Sequence, residues 1–471
     1  MSDLSPAKII SDPVHGIIEL TALEAEVVSS KAFQRLHNVH QLGLAHYVFP
    51  AANYSRFSHS IGACHNAQKI IAAIKKNTSN GGLTNRREQI IRLAALVHDL
   101  GHYPFSHAFE HEIDEFYAAS NYLSDDGNLD FDGGVLDHEN MGAEVLKADT
   151  EISAILAKHR LAPHEISSAF KTDPLSSVLS SDLDCDRLDY LRRTAHHSGL
   201  PYGNVDINYI IDQSTVDDQG RFCFGQKALR AADHLLVSRY FDYLQVPYHK
   251  SVVALEWSLQ VVIRSLLSRG VFNCTRNQMI AMIKNSEWHH FDDGKLLASA
   301  RQLKTNLENH VHRTQNEDGI RAHINAILHR RPAKLIASKE AVCPASESLP
   351  VNLSKVSSIV DSFVKKHRLC PLAFKIWQPK DFSLIKASSK GTSQSSDFSP
   401  EEPEYYEYAR IKSHNDECLP IHKYPFALMH QIHDFRYKAC RVYMLSNNNA
   451  EFEALVNEKL IPKLSKIGMD V

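Results

Sequence analysis

The stretch "RLAALVHDLGHYPFSH", residues 92–107, places three histidines and an aspartate directly behind an apolar run. Residues 90–97 have the composition of a helix, whereas the glycine and proline that follow disfavour its continuation, so His98 and Asp99 fall in the last turn. A carboxylate there faces the negative end of the helix dipole, and burial adds a desolvation cost. The pattern predicts a positive partner for Asp99, either through a hydrogen bond or salt bridge within the protein or through a metal ion.

A second segment, "SSDLDCDRLDYLRR" over residues 180–193, carries a repeated acidic pattern. Asp182, Asp186 and Asp189 recur at i, i+4 and i+7, which places them on one face of a predicted helix. Such a face is either solvated or neutralised by a cation, because stacked like charges repel. Divalent metals that assist phosphate chemistry accept mixed imidazole and carboxylate ligands, and His59 in "YSRFSHSIGACHN" is a further candidate.

The composition is that of an ordinary globular protein. The 471 residues are 43% hydrophobic, enough for a large core in about two to four domain-sized units. The formal net charge of -3 argues against a chain devoted to polyanions, so a nucleic-acid partner is not indicated. The eight cysteines include no CxxC pair, which favours reduced thiols. We find no signal peptide and no unbroken apolar span, so we expect a cytoplasmic protein without a membrane segment.

Hydrophobic periodicity predicts a mainly α structure with a few short strands. Helices are predicted at 21–43, 60–77, 85–101, 139–159, 163–170, 175–196, 226–245 and 251–269, and strands at 16–20, 221–225 and 435–445. Beyond residue 270 the composition becomes more polar and mixed. We therefore divide the chain into a core over 1–270 and a C-terminal α+β region over 271–471, with a mobile Ser-rich loop at 386–400.

The order of His59, the His98-Asp99 pair and Asp186 resembles that of the HD-domain metal phosphohydrolases. Five blocks, "DPVHGIIEL", "FQRLHNVHQLG", "YVFPAANYSRFSHS", "VHDLGHYPFSHAFEH" and "DLDCDRLDYLRR", resemble in order those of the deoxynucleoside triphosphate triphosphohydrolases, which include the animal enzyme with a sterile-alpha-motif domain. The resemblance covers about residues 8–270 and, more weakly, the tail; no block corresponds to a sterile-alpha-motif domain. It implies an HD-domain helical body with short β-strands or hairpins and a mixed α+β C-terminal region.

The resemblance also implies a set of site residues. The metal would be held by His59, His98, Asp99 and Asp186, with Asp99 also placed to bridge to a second ion. The proton-transfer network would contain His102, His107, His138 and Glu110. Within it, His107 would be the general acid that protonates the departing 5′ oxygen. Contacts to the triphosphate and sugar would come from Gln41, Leu42, Arg56, Arg187, Tyr190 and Arg239.

Elementary electrostatics requires the same parts. A triphosphate repels hydroxide until a metal and guanidinium groups withdraw charge, and a bound metal brings the pKa of water toward 7. An imidazole with a pKa near neutrality can then donate a proton to the leaving oxygen. For Arg56 and Arg239, a structural role is an open alternative to phosphate contact.

Three departures from the family pattern bear on specificity. Thr194 stands where an Asp expected to hold the 3′ hydroxyl is common, which predicts about tenfold weaker 3′ recognition and tolerance of dideoxynucleotides. Retention of Leu42 predicts that deoxynucleotides are preferred over ribonucleotides. Pro247 replaces a common Tyr. Ser29 and His37 replace the Asp and Arg that read an activator guanine, so we expect little dependence on a guanine nucleotide.

The leading hypothesis is a metal-dependent nucleotide phosphohydrolase that cleaves dNTPs to deoxynucleoside and inorganic triphosphate. The alternatives are an HD-domain hydrolase acting on another nucleotide, such as a signalling nucleotide or nucleoside phosphate, and a nucleotide-binding regulatory protein without turnover. The cofactor is one divalent ion or two, and the sequence does not distinguish Mn, Fe, Mg, Ni, Co and Zn. Family precedent and the prevalence of closed symmetric assemblies predict a homo-oligomer, a dimer or a tetramer.

Overall fold

The computed structural model describes residues 4–78, 83–119, 134–379, 382–383, 408–446 and 449–471; the loop predicted at 386–400 lies outside these residues. The prediction of a mainly α fold with short strands is confirmed. The helices are α1 (Ala22–Ser29), α2 (Lys31–Gln34), α3 (Arg56–Asn77), α4 (Asn85–Val97), α5 (His107–Ala119), α6 (His138–Ala148), α7 (Thr150–Lys158), α8 (Pro163–Ala169), α9 (Cys185–Ser198), α10 (Ile207–Asp212), α11 (Leu229–Gln245), α12 (Lys250–Ser268), α13 (Arg276–Lys284), α14 (Asp293–Glu308), α15 (Gln315–Leu328), α16 (Leu353–Lys366), α17 (Leu428–Ile432), α18 (Ala450–Lys459) and α19 (Ile461–Lys466).

The strands of the described residues form three small sheets. They are β1 (Pro6–Asp12), β2 (Gly16–Thr21), β3 (Ser214–Val216), β4 (Phe222–Gly225), β5 (Lys334–Pro344), β6 (Phe374–Trp377), β7 (Phe382–Ser383), β8 (Arg410–Lys412), β9 (Cys418–Pro420) and β10 (Phe435–Met444). The three strands predicted from sequence correspond to β2, β4 and β10. An antiparallel hairpin joins β1 to β2, β10 lies between β5 and β6, and the third sheet has the order β3-β4-β8-β9.

Capping residues break the first predicted helix into shorter pieces. Thr21 forms the expected cap, a reciprocal capping box with Glu24. However, Ser30 ends α1, and its side chain accepts a hydrogen bond from the backbone of Phe33, so a new helical turn starts there. The prediction of one helix over 21–43 was wrong because a small polar residue can begin a second helix within an apolar pattern.

Two further helix predictions fail for the same physical reason. The segment 139–159 divides into α6 and α7 at Asp149, whose carboxylate accepts from the backbone of Glu151 and Ile152. The segment 175–196 becomes helical at Cys185, with Asp184 as the N-cap. Asp182 therefore precedes α9 and does not share its face with Asp186, contrary to the sequence-based prediction.

The helices α3, α4 and α9 pack together in the main hydrophobic core, and this packing places the candidate site. Gly62 of α3 permits a close approach, because a methyl group there would overlap the side chains of Asp189 and Arg193 on α9. Gly101 does the same at the end of α4, where a methyl group would overlap the backbone of α6. A second core packs β10 against α16 and α18.

The C-terminal part of the chain returns to the helical body through the third sheet. Strand β8 pairs in parallel with β4, and Arg410 of β8 is buried. Its guanidinium donates to Asp217 at 2.8 Å and to the carbonyl of Phe222 at 2.5 Å, while Arg221 donates to the same Asp217 carboxylate at 2.7 Å. The sheet is thus joined by a buried charge network as well as by backbone pairing.

Within the described residues, one helix, α12, is long and apolar enough by length and composition to cross a membrane. Its most apolar window has a mean hydropathy of 1.3 and is 67% buried inside the protein. Such burial is typical of a core helix in a globular protein.

Candidate active site

Three helix ends converge on a group of metal-ligand type. His59 lies in the first turn of α3, His98 caps the end of α4, and Asp186 lies in the first turn of α9. Asp186 Oδ1 is 2.9 Å from His59 Nε2 and 3.8 Å from His98 Nε2. Ligands bound to one ion at about 2.0–2.2 Å lie at comparable separations from one another. The three side chains therefore fit a divalent cation.

The other nitrogen of each imidazole is already engaged. His59 Nδ1 lies 2.7 Å from Asp189 Oδ2, and His98 Nδ1 lies 2.8 Å from the carbonyl oxygen of Ala95. Metal-binding histidines are commonly oriented in this way, by donating their second N–H to a carboxylate or carbonyl. Both Nε2 atoms are buried, and within the described part of the chain neither makes a well-oriented hydrogen bond, although that of His59 lies close to Asp186. This matches the donor set of a metal site.

The surrounding carboxylates favour positive charge at this point. Burial alone would lower the pKa of His59, but Asp186 and Asp189 raise it to about 10. A divalent cation can supply the same positive charge in place of a proton. The site is therefore electrostatically suited to metal binding.

Asp189 supports the site by holding Nδ1 of His59, the nitrogen opposite the one that lies near Asp186. His15 Nε2 lies 2.6 Å from Asp189 Oδ1, and Arg193 donates to both carboxylate oxygens at 2.9 Å. Arg193 continues to Asp12 at the end of β1, at 2.7 Å. The sequence placed Asp189 on the acidic face of the helix but gave no sign of this orientation, which depends on the β1-β2 hairpin.

Asp99 lies between the metal-ligand group and a second group of histidines. Its Oδ1 is 3.3 Å from His98 Nε2 and 3.1 Å from His102 Nε2, while Arg56 Nη1 donates to its Oδ2 at 2.6 Å. Burial opposes ionisation, but Arg56 and the two histidines hold the pKa of Asp99 well below its usual range. Asp99 is thus ionised and adjacent to the cluster of His59, His98 and Asp186, and direct ligation by Asp99 stays a prediction.

The four predicted proton-transfer residues form this second group. The rings of His102 and His138 stack with centroids 4.1 Å apart, and His107 lies 5.1 Å from His102. Glu110 accepts from His107 at 3.2 Å and from His138 at 2.9 Å. Although burial opposes it, these hydrogen bonds hold the pKa of Glu110 well below its usual range. Potential ligand atoms of all four residues lie within 4.8 Å of one another, so a second cation is also compatible with this geometry.

Both groups border a cavity of about 890 Å³, a volume typical of a small-molecule site. Its wall contains all six predicted substrate contacts, together with His98, Asp99, Asp186 and the three histidines of the second group. His59 and Glu110 lie behind this wall. The structure adds polar wall residues that the sequence did not single out, among them Lys171, Asp242, Tyr243 and Glu256.

Residues 56–193, which span both groups, match the HD domain family. This part of the chain is an HD domain. Its sequence is 33% identical over 261 residues to a Dictyostelium discoideum protein named as a deoxynucleoside triphosphate triphosphohydrolase SAMHD1 homolog, covering 55% of this chain and 49% of that protein. It is 29% identical over 282 residues to an uncharacterized Bacillus subtilis protein, covering 57% of each. The matched segments thus span about half the length of these relatives, and the similarity is consistent with an HD dNTPase-like family.

The fold extends beyond the HD domain. A phosphohydrolase structure from Bacteroides thetaiotaomicron superimposes with a TM-score of 0.67 at 19% identity, covering 93% of this chain and 99% of that one. At this identity the likeness concerns the fold alone. The C-terminal elements are therefore part of a shared architecture with the HD domain.

Three arginines among the described residues line the cavity, and each is anchored to the protein. Arg56 Nε donates to Ser106 at 2.7 Å in addition to its bond to Asp99. Arg187 Nη1 donates to Asp182 at 3.1 Å, and Arg239 Nη1 donates to the carbonyl of Ser383 at 2.8 Å. Such anchoring fixes the position of a guanidinium, so the structural and phosphate-binding interpretations are compatible for each arginine.

One supporting residue comes from outside the HD domain. Asp293, the first residue of α14, is 3% exposed and accepts from the backbone N–H of Phe105 at 2.6 Å and of His40 at 3.0 Å. Phe105 and Ser106 have φ angles of 54° and 57°, a left-handed conformation that is costly for such residues. Asp293 thus stabilises the turn that leads from His102 to the start of α5.

We expect Asp293→Ala to lower the free energy of unfolding by about 2–5 kcal/mol, because two buried backbone N–H groups lose their acceptor. Chemical denaturation of both proteins measures this. Asp292→Ala is the matched control, since Asp292 only caps α14 through Lys295 and should cost about 1 kcal/mol. Equal losses in the two variants would contradict a special role for Asp293.

Proposed function

We propose that this protein is a metal-dependent nucleotide phosphohydrolase that converts dNTPs to deoxynucleoside and inorganic triphosphate. One observation carries the proposal: two groups of histidines border the same cavity, whose wall also contains arginines. One group is of metal-ligand type, and the other is hydrogen-bonded to Glu110. The relationship to a protein named as a dNTP triphosphohydrolase supports this substrate class.

In the proposed reaction, a divalent cation would be held by His59, His98, Asp99 and Asp186. When bound, it supplies Lewis acidity and a water of lowered pKa. Arg187 and Arg239 would bind and orient the triphosphate. As water adds to the α-phosphorus, the bond from phosphorus to the 5′ oxygen breaks, and the water proton is released to a base or to solvent.

His107 would donate the proton that the departing 5′ oxygen requires. Its side chain is 70% exposed and lies in the cavity wall, while its Nδ1 contacts Glu110. That contact leaves Nε2 available for the substrate. Gln41 and Leu42, on the same wall, would contact the sugar, and Leu42 would crowd a 2′ hydroxyl. Deoxynucleotides should therefore be preferred over ribonucleotides.

A nucleotide panel with product identification tests the proposed function. The protein is assayed with added manganese, magnesium or iron, and with a chelator as the control. Inorganic triphosphate as the product supports attack at the α-phosphorus with loss of all three phosphates together. Release of monophosphate or hydrolysis of signalling nucleotides would instead assign the protein to another branch of HD-domain hydrolases, and metal binding without turnover would indicate a regulatory role.

We further propose that the chain forms a homo-oligomer, a dimer or a tetramer, in the cytoplasm. The β1-β2 hairpin exposes Ile9 and Ile17 at 65% and 66%, apolar surface that a second copy can cover. None of the eight cysteines forms a disulfide, which is the expected state in a reducing compartment. Light scattering should show at least a dimer, and turnover should not require GTP; a monomer at working concentration, or strict GTP dependence, would contradict these expectations.

A further inference from the structure

Asp242 is a carboxylate in the cavity wall that the proposed reaction does not use. It lies on α11, three residues after Arg239 and four before Val246, and all three residues line the cavity. These spacings place them on one side of the helix, about one turn or 5.4 Å apart in succession. Asp242 is therefore held between a predicted phosphate contact and an apolar part of the wall.

The protein offers the Asp242 carboxylate few hydrogen-bonding or charged partners. The hydroxyl of Tyr202 donates to Asp242 Oδ1 at 2.6 Å, and Asp242 makes no ion pair within the described parts of the chain. Burial raises its pKa to about 7, against the lowering effects of Tyr202 and the more distant Arg239. A carboxylate has about four acceptor positions, so one hydrogen bond leaves capacity for a ligand that donates.

Thr194, which stands where the family commonly has an Asp, is not placed to accept a hydrogen bond from a ligand in the cavity. Thr194 is fully buried and lies outside the described cavity wall, and the hydroxyl of Tyr54 is 2.8 Å from its Oγ1. Tyr54, which does line the cavity, is close enough to Asp242 for the negative charge of that carboxylate to raise the pKa of Tyr54. Asp242 is thus the carboxylate that this part of the wall offers to a ligand.

We propose that Asp242 is a sugar-specificity residue, whose carboxylate accepts a hydrogen bond from the 3′ hydroxyl of the bound deoxynucleotide. This inference rests on the proposed function, which places phosphates at Arg239 and the sugar at Leu42. Leu42 packs against the small apolar cluster of Ala45, Val246 and Val252, and Asp242 lies between Arg239 and this cluster along α11. A sugar that follows phosphates bound at Arg239 would therefore lie beside Asp242.

The chemistry of the sugar fits this position. A phosphate would be repelled by the carboxylate, whereas a hydroxyl is a neutral donor that satisfies it without an added charge. Dideoxynucleotides should therefore be poor ligands, in contrast to the tolerance that Thr194 alone predicts. The departure at Thr194 is then offset by a carboxylate from another helix.

The test compares deoxy and 2′,3′-dideoxy triphosphates on the whole protein, by kcat/KM and by calorimetric binding with the metal chelated. The wild type should favour the deoxynucleotide by roughly tenfold or more in both measurements. Asp242→Asn should reduce this ratio by about tenfold while keeping the shape of the side chain. Tyr202→Phe removes the competing donor and should keep or increase the ratio, which a merely structural role for Asp242 would not produce.

Glu256→Gln is the matched control, because it makes the same chemical change elsewhere in the cavity wall, and its ratio should equal that of the wild type. An unchanged ratio in Asp242→Asn, or a changed base preference instead, would overturn the assignment. Binding discrimination without hydrolysis would refute the proposed reaction and still support Asp242. Absence of nucleotide binding by the wild type would overturn both.

Discussion

His98→Ala should leave a folded protein that neither retains a metal ion nor hydrolyses nucleotides. His98 supplies a buried Nε2 without a hydrogen-bond partner within the described residues, 3.8 Å from Asp186, so its loss removes one of the three clustered ligands. Metal analysis of the purified protein and the rate with the best substrate measure the two effects. Asp99→Ala should likewise abolish both bound metal and activity, because it removes a predicted ligand and the charge beside both histidine groups.

Thermal unfolding provides an independent readout of metal loss. Chelation should lower the melting temperature of the wild type, because a ligand that binds only the folded state stabilises it, and should have no effect on His98→Ala. His312→Ala, an exposed histidine outside the HD domain, is the control and should behave as the wild type. Full metal content and rate in either His98→Ala or Asp99→Ala would show that the metal assignment is wrong.

His107→Ala should retain its metal and lose roughly two to four orders of magnitude in kcat, the usual contribution of a general acid. The side chain is 70% exposed, so little folding energy depends on it. Parallel measurement of metal content, kcat and melting temperature separates proton transfer from ligation and from folding.

Glu110→Gln is the companion variant, because Glu110 contacts His107 and His138 and orients them without lining the cavity. Its rate should fall less than that of His107→Ala. If His107→Ala were to lose metal, the second group of four residues would be a ligand set, which their mutual spacing also permits.

Much of the candidate site could be predicted because its residues lie in short, ordered segments. His98 and Asp99 stand at a helix end that glycine and proline mark in the sequence, and Asp186 lies in the first turn of α9. The structure brings His59, His98 and Asp186 together, and it brings His102, His107, His138 and Glu110 together. Such residues can be predicted from sequence because the local segment that carries each one also contains the signal for a helix start or end.

The residues that sequence reasoning missed depend on contacts between distant segments. Asp293 accepts a hydrogen bond from Phe105, 188 residues away in the chain, and Asp189 is held by His15 and Arg193. Hydrophobic periodicity along the chain does not indicate which distant residues will come into contact. Helix boundaries failed where Ser30, Asp149 and Asp184 cap new helices, since an apolar repeat does not show whether a polar residue within it faces solvent or a backbone N–H.

The parallel pairing of β4 with β8 sets an order for folding during synthesis. Asp217 and Arg410, which close this sheet, are 193 residues apart in the chain. Until the ribosome has made β8, β4 has an open edge and Asp217 lacks one of its two arginines, although every residue of the HD domain has already emerged. Because unpaired strand edges promote aggregation, the nascent chain is most vulnerable in this interval, and a protein truncated before β8 should remain in that state.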